Sequence, residues 1–394
     1  LIGRAQQPDG YLNTYYIING LENRWTNLHE CHELYCAGHM IEAAVAYYEA
    51  TGKRKLLDIV CKFADHIDTV FGPEEGKLKG YPGHQEIELA LVKLYRVTGN
   101  KKYLDLAKFF LDERGKEPYY FDIEWEKRGK TSHWFGGRGQ APSKNKEYNQ
   151  AHLPVREQTE AVGHAVRAVY MYSAMVDVAM ETGDEELLEA CRRLWNNIVY
   201  KRMYVIGAIG SQVHGEAFSF DYDLPNDTVY AETCAAIGLV FFASRMLEAE
   251  PKGQYADVME RALYNGVISG MSLDGKSFFY VNPLEVNPEA CEKNGNFRHV
   301  KPVRQKWFAC ACCPPNIARL LASIGHYIYD IKDNTVYTHL YVASRAEMNV
   351  EGEKIGITQT TDYPWDGNVG ISVNLDGSKE FNLALRIPGG CRDA

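Results

Sequence analysis

The sequence predicts a mainly α protein, a closed α/α toroid, that passes into a β-sandwich-like region toward its C-terminus. Three observations point there. A helix–turn–helix phrase recurs at Thr51-Gly52, Thr98-Gly99 and Thr182-Gly183. Polar and aromatic residues interrupt the apolar helical segments, among them His32, His39, His84, Glu86, Glu88, His164 and Glu232. After about residue 334, apolar and polar residues alternate.

In the first copy of the phrase, the apolar run Ala43 to Ala50 ends at Gly52, and Lys53 to Leu57 opens a new helix. Glycine suits the position after a helix C-terminus because it takes a left-handed φ without steric cost. In all three copies a bulky residue follows the glycine by four positions: Leu56, Tyr103 and Leu187. A looser version runs from Pro251 to Val258. Self-similar helical units stack into arrays. Their irregularity here, and the long insertion 116–155, favour a closed toroid over an open solenoid. Polar groups on inner helices would then line a central cavity. The later strands are expected at Thr335 to Val342, Val369 to Val373 and Phe381 to Leu385. Turn signals at Asp366-Gly367 and Asp376-Gly377 separate them. The expected division is therefore 1–333, helical, and 334–394, β. Leu1 is not an initiator Met, and the chain stops in strand-like sequence, so it reads as a fragment of a longer protein.

Composition narrows the class. With 45% apolar and 24% charged residues, the 394-residue chain is not disordered, collagen-like or coiled coil. A net charge of −9 argues against a nucleic-acid footprint. No apolar run reaches the ~18 residues needed to span a bilayer. The 26 tyrosines suit carbohydrate stacking, and equally plain packing. Ten cysteines are more than a chain with this much core needs for a disulfide frame. Three of them, Cys310, Cys312 and Cys313, fall within four positions, which favours metal or thiol chemistry.

The strongest constellation joins that run to Glu232-Thr233-Cys234. Zinc takes thiolate, imidazole and carboxylate ligands, usually four. On a regular helix Glu232 and Cys234 would diverge by about 200°. In an extended segment or a helix's first turn they could converge, and Asp227 and Thr228 suit an N-cap region just before. Pro314 and Pro315 read as a rigid lead into a helix from about Asn316, whose dipole would favour thiolates. A closed structural site, or thiols packed as small hydrophobes, explains the same run. Glu216 follows a glycine-rich stretch from Gly207 and is a candidate general acid/base, although an isolated loop glutamate is more often merely solvated. His32 and His39, seven apart, share a helix face. No His-Glu pair has a histidine at zincin spacing, and each histidine alone reads first as a hydrogen-bonded core residue.

Longer phrases carry a resemblance. They are Gln6 to Leu12; His32-Glu33-Leu34-Tyr35 with Gly38-His39; Tyr81 to Glu86; Gly207 to Glu216; and Phe220 to Asn226. They continue with Tyr230 to Cys234, Glu260 to Asn265, Cys310 to Asn316 and Tyr363 to Gly367. Together they resemble the bacterial β-L-arabinofuranosidases of glycoside hydrolase family 127 over nearly the whole chain. The resemblance implies an (α/α)6 barrel, a six-hairpin toroid here lacking its N-terminal helices, followed by the start of a β-sandwich domain. It implies Zn2+ held by Glu232, Cys234, Cys312 and Cys313. Cys312 would be the nucleophile and Glu216 the acid/base, and His32, His84, His164, Glu260 and Tyr280 would line the sugar pocket. Cys310 would sit beside the metal. Cys36, inside the His-Glu-Leu-Tyr phrase, reads as packing. The implied activity is retaining hydrolysis of β-L-arabinofuranosides through a thioglycosyl intermediate. The implied partners are plant-derived arabinofuranoside oligosaccharides or glycopeptides, with neither nucleic acid nor membrane, and a homodimer is admitted. The expected compartment is the cytoplasm, although any signal peptide would lie outside the chain. Two rivals remain: a toroid sugar epimerase or lyase using histidine pairs, and a non-catalytic carbohydrate-binding protein with structural zinc.

Overall fold

The computed structural model describes residues 1–134, 137–310, 312–375, 377 and 380–391. Ala311, within the cysteine run, and Asp376, in the second expected turn, lie outside the described residues. The chain divides into two compact units. One comprises Leu1–Met203 with Ile209–Tyr230, and the other Tyr204–Ala208 with Ala231–Ala394. This division falls inside the helical region, between Tyr230 and Ala231.

Helical hairpins build the first unit: Glu33–Thr51 with Lys55–Val70, Ile87–Thr98 with Lys101–Glu113, and Ala165–Thr182 with Glu185–Asn197. Gly52, Gly99 and Gly183 close the first member of each, at φ 67°, 70° and 67°. Each donates its N–H to the carbonyl four residues back, those of Tyr48, Tyr95 and Ala179. A Cβ there would meet nothing within 4 Å, so backbone conformation and not crowding demands glycine. Of the residues four further on, Tyr103 and Leu187 are buried, while Leu56 is only half-buried. Within the third hairpin, Ala165 to Ala179 is buried without a break. Its partner instead buries one stripe, Leu187, Ala190, Cys191, Leu194 and Trp195. This pairing of a core helix with an amphipathic one explains why polar groups appear inside apolar segments. The insertion 116–155 is not bare loop: it holds the helix Tyr120–Lys127 and 3-10 turns over Pro142–Asn149.

In the second unit, helix Thr233–Ala249 is buried from Thr233 to Leu247. It ends on extended Glu250, without glycine, which matches the looser phrase there. Gly253–Arg261 follows, and then Cys313–Ala322. The latter starts three residues before the expected Asn316, because Pro314 and Pro315 fall inside its first turn, where their missing N–H groups cost nothing.

The β region begins at Tyr329, earlier than expected. Its strands are β1 Tyr329–Lys332, β2 Thr335–Thr338, β3 Ser344–Val350, β4 Glu353–Thr361, β5 Val369–Leu375 and β6 Asn382–Leu385. They form two three-stranded sheets, β1-β2-β6 and β3-β4-β5. Val336 of one packs with Val350, Ile355 and Ile357 of the other. The expected strand from Thr335 stops at Thr338, and β1, β3 and β4 had no counterpart in the sequence expectations. The fold class is as expected: helical hairpins followed by a small β region. No helix among the described residues is long and apolar enough to cross a membrane.

Candidate active site

In the second unit, an extended pairing shapes the approach to a helix. Thr233 N–H donates to Tyr280 O at 2.9 Å, and Asn282 N–H donates to Ala231 O at 3.1 Å. Glu232 bridges Val281 across this pairing. Ala231 turns the chain at φ 43°, and Glu232 is the extended N-cap of the helix that starts at Thr233. The cap is therefore Glu232 itself and not the Asp227-Thr228 region. Between them, Thr233 is locked by Phe279 O at 2.8 Å and Asn282 Nδ2 at 3.0 Å. This geometry lets Glu232 and Cys234, two apart in sequence, converge.

Cys312 is the N-cap of the helix Cys313–Ala322. The ligand atoms of Glu232, Cys234, Cys312 and Cys313 all lie within 4.8 Å of one another. Cys234 Sγ is 3.6 Å from Cys313 Sγ, and Cys312 Sγ is 3.8 Å from Cys313 Sγ. Three thiolates ~2.3 Å from one tetrahedral ion would stand about 3.8 Å apart. All ten cysteines are free, so no disulfide competes for these sulfurs. Donor chemistry and spacing both suit a metal ion, and this is a potential metal-binding group.

Accessibility separates the sulfurs. Cys234 and Cys313 are buried, whereas Cys312 is only partly so. Cys312 Sγ lies 3.2 Å from Tyr280 Oη and 3.5 Å from Glu232 Oε1. Thiol donation from Cys234 and Cys313 pulls Cys312 far below the ordinary thiol range, against its burial, and the Tyr280 hydroxyl adds to the effect. Cys234 is pushed up in return, chiefly by its bond to Cys312. Of the three clustered sulfurs, Cys312 is thus the most accessible and the one drawn down by its neighbours. Cys310 is exposed and hydrogen-bonds Cys312 and Tyr280. Glu260 stands outside this group: its oxygens accept from Tyr363 Oη at 3.0 Å and from Arg386. Arg386 also pairs with Asp257 at 2.6 Å.

The first unit holds the other expected residues. Glu216 closes a short 3-10 turn after Gly215 and itself sits at φ 52°. A left-handed glutamate costs of order 1 kcal/mol, a strain that collects at functional sites. Its Oε1 accepts from Tyr230 Oη at 2.7 Å, and its Oε2 lies 2.8 Å from His164 Nε2. His164 N-caps its helix by accepting the Arg167 N–H at Nδ1. That acceptance leaves the ring proton on Nε2, directed at Glu216. The glutamate is therefore clamped at both oxygens, with its side chain still 34% exposed.

His32 and His84 use the opposite tautomer. Their Nδ1 atoms face the carbonyls of Glu30 and Gln85, at 3.0 and 2.8 Å. A carbonyl only accepts, so Nδ1 carries the proton and Nε2 becomes an acceptor suited to a hydroxyl. Burial, then the Arg167 charge, pushes His32 down to about 4 and His84 well below the usual range. The three rings form a chain, with centroids 5.8 Å apart for His32–His84 and 5.5 Å for His84–His164. His39 instead faces buried Glu86 at 3.2 Å. Cys36, expected to pack, is exposed. Sequence reasoning assigned no role to Tyr230 or Arg167. Tyr230 lay inside a quoted phrase, and Arg167 stands one helical turn from His164.

Comparison with known proteins places this geometry. Residues 1–326 match the β-L-arabinofuranosidase GH127 catalytic domain, and residues 335–394 the GH127 middle domain. The non-reducing end β-L-arabinofuranosidase of Bifidobacterium longum subsp. longum is 46% identical over 401 residues, spanning 100% of this chain and 60% of that protein. A GH127 β-L-arabinofuranosidase from Geobacillus stearothermophilus T6 superposes with a TM-score of 0.94 at 61% identity, covering 99% of this chain and 60% of its own. Another GH127 β-arabinofuranosidase gives 0.85 at 45% identity, covering 99% and 57%. The chain thus spans about 60% of the length of these relatives. On matches that run through both of its regions, the chain belongs to the β-L-arabinofuranosidase family GH127.

Proposed function

We propose that this protein is a retaining, zinc-dependent glycoside hydrolase that releases L-arabinofuranose from the non-reducing end of β-L-arabinofuranosides. Plant-derived oligosaccharides or glycopeptides are the substrates that fit. The observation that carries the proposal is the convergence of Glu232, Cys234, Cys312 and Cys313, with Cys312 the most accessible of the three sulfurs. These four residues would hold the zinc. When bound, zinc keeps the Cys312 sulfur in its thiolate form and tunes its reactivity.

In the first half-reaction Cys312 Sγ attacks the anomeric carbon, and the bond from that carbon to the leaving oxygen breaks. Glu216 gives that oxygen its proton. In the second half, Glu216 takes a proton from water, whose oxygen displaces Cys312 Sγ, so two inversions restore the anomeric configuration. The second half needs the carboxylate form, which accepts from Tyr230 Oη and lies against His164 Nε2. The first half needs a protonated carboxyl whose single proton faces the leaving oxygen. Neutral His32 and His84 accept sugar hydroxyls at Nε2, and His164 holds Glu216. Tyr280 steadies the sulfur. Glu260 lines the pocket through lone pairs that Arg386 and Tyr363 leave over, since a carboxylate offers about four acceptor sites.

Cys312→Ser tests the reading. The expected result on an aryl β-L-arabinofuranoside is a loss of at least about 10³-fold in kcat, with the thermal midpoint kept within a few degrees. Near-normal turnover by Cys312→Ser would remove the cysteine mechanism. Elemental analysis of the wild-type protein should find one zinc per chain.

A further inference from the structure

We propose that Asn149 and Gln150, near the end of the insertion 116–155, are positioning residues that set the spacing of His84 and His164. The proposal rests on the reading that His84 serves the sugar and that His164 holds the acid/base Glu216. Both residues are fully buried, and Gln150 takes a left-handed φ of 53°. From that turn, their side chains reach the two histidine-bearing turns of the first unit.

On one side, Asn149 Nδ2 donates to Gly83 O at 2.7 Å, the carbonyl immediately before His84. Gln85 Nε2 donates back to Asn149 O at 3.1 Å and to Gln150 Oε1 at 2.9 Å. His84 is thus flanked by residues tied to the brace. On the other side, Gln150 Nε2 donates to Val162 O at 2.9 Å and to His164 O at 3.1 Å. The His164 N–H donates to Tyr148 O at 3.3 Å. Arg114 supports the brace from behind, donating to Asn149 O at 2.8 Å and to Pro82 O at 2.8 Å. Arg167 joins it by donating to Gly83 O at 2.9 Å.

The turns have little room to drift. A Cβ at Gly83 would come within 2.3 Å of the carbonyl oxygens of Leu28 and His29, and one at Gly163 within 1.9 Å of Glu147 O. Backbone therefore packs directly on backbone at both turns. Two amide side chains then fix where the rings stand, with centroids 5.5 Å apart. Only an amide meets the need, because Gln150 must donate to two carbonyls while accepting from Gln85. The insertion thereby acquires a purpose: it carries the brace that sets one wall of the sugar site.

Gln150→Glu is the test, since a carboxylate cannot donate to Val162 O or His164 O. With the aryl β-L-arabinofuranoside, kcat/KM should fall about tenfold, through KM as His84 moves and through kcat as His164 loosens its hold on Glu216. The imidazole nitrogen signals of His84 and His164 should shift, with His164 losing its single tautomer, while exposed His133 stays unchanged. Asn149→Ser, which shortens one donor, should move KM and the His84 signal the same way by less, and it serves if Gln150→Glu does not fold. A folded variant with wild-type kcat/KM and unmoved histidine signals would overturn the proposal. If the rings move in the variant but the wild-type protein hydrolyses no arabinofuranoside, the brace stands and the functional reading fails.

Discussion

The two units prepare chemical groups in different ways. In the first, neutral imidazoles are aimed by single carbonyl bonds: His32 by Glu30 O and His84 by Gln85 O. The groups are hard, directional and suited to hydroxyls. In the second, three sulfurs and a carboxylate gather at the starts of two helices, Thr233–Ala249 and Cys313–Ala322. The groups there are soft, mutually bonded and suited to holding a cation and an anionic sulfur. On the proposed reading, the difference teaches that recognition and nucleophilic chemistry ask for different surroundings. Burial pushes His32 and His84 down, while Cys312 is drawn down by its thiol neighbours.

Loss of the Cys312 sulfur should be the largest effect, as stated above. Next is Glu216→Gln, which on the proposed reading removes the proton carrier from the first unit. The expected loss is about 10²–10⁴-fold in kcat/KM, read by steady-state kinetics on an aryl β-L-arabinofuranoside. A change of less than about threefold would leave the first unit a purely binding element and break the division of labour.

A smaller and sharper effect concerns pH. His32 is held near 4 in the folded protein against an ordinary value of 6.5. Between those values the folded state binds fewer protons than the unfolded one, so stability rises with pH across the window. The contribution is full above 6.5 and is lost as pH falls through about 4. By NMR, the His32 ring should titrate near 4, and KM should stay level from pH 7 to about 5. A midpoint at 6 or above would contradict the buried, neutral state assigned here.

The smallest effect lies in the hairpins. Gly99→Ala forces an alanine to φ 70° with no clash to relieve. It should cost about 1 kcal/mol in denaturant unfolding and leave KM unchanged. A neutral result would mean that these turns relax, and that the recurring phrase does not mark rigid hairpins.

What was legible in the sequence follows from range. Gly52, Gly99 and Gly183 could be placed because a helix end is decided by a few neighbouring residues. The pairing of Glu232 with Cys234 was legible only as an alternative, since it depends on the extended turn at Ala231 and its partner Val281, far along the chain. Tyr230 on Glu216, and Gln150 between two histidine turns, left no local signature, because the partners that join these segments lie 12 or more residues away. The strands β3 and β4 escaped notice because Ser344–Val350 alternates half-buried and exposed residues with little apolar contrast. The exposure of Cys36 went against its apolar neighbours, and nothing in its phrase indicates which side the thiol takes. The roles of Cys312 and Glu216 came from long motif phrases, and spacing alone left them open.

The central claim is that Cys312 sulfur forms a covalent bond to the sugar. The direct measurement is mass spectrometry of the protein quenched during turnover of an aryl β-L-arabinofuranoside, followed by peptide mapping. The account expects one pentosyl group on the peptide containing Cys312, absent from Cys312→Ser. A pentosyl group on a carboxylate residue instead, with Cys312 unmodified, would contradict it.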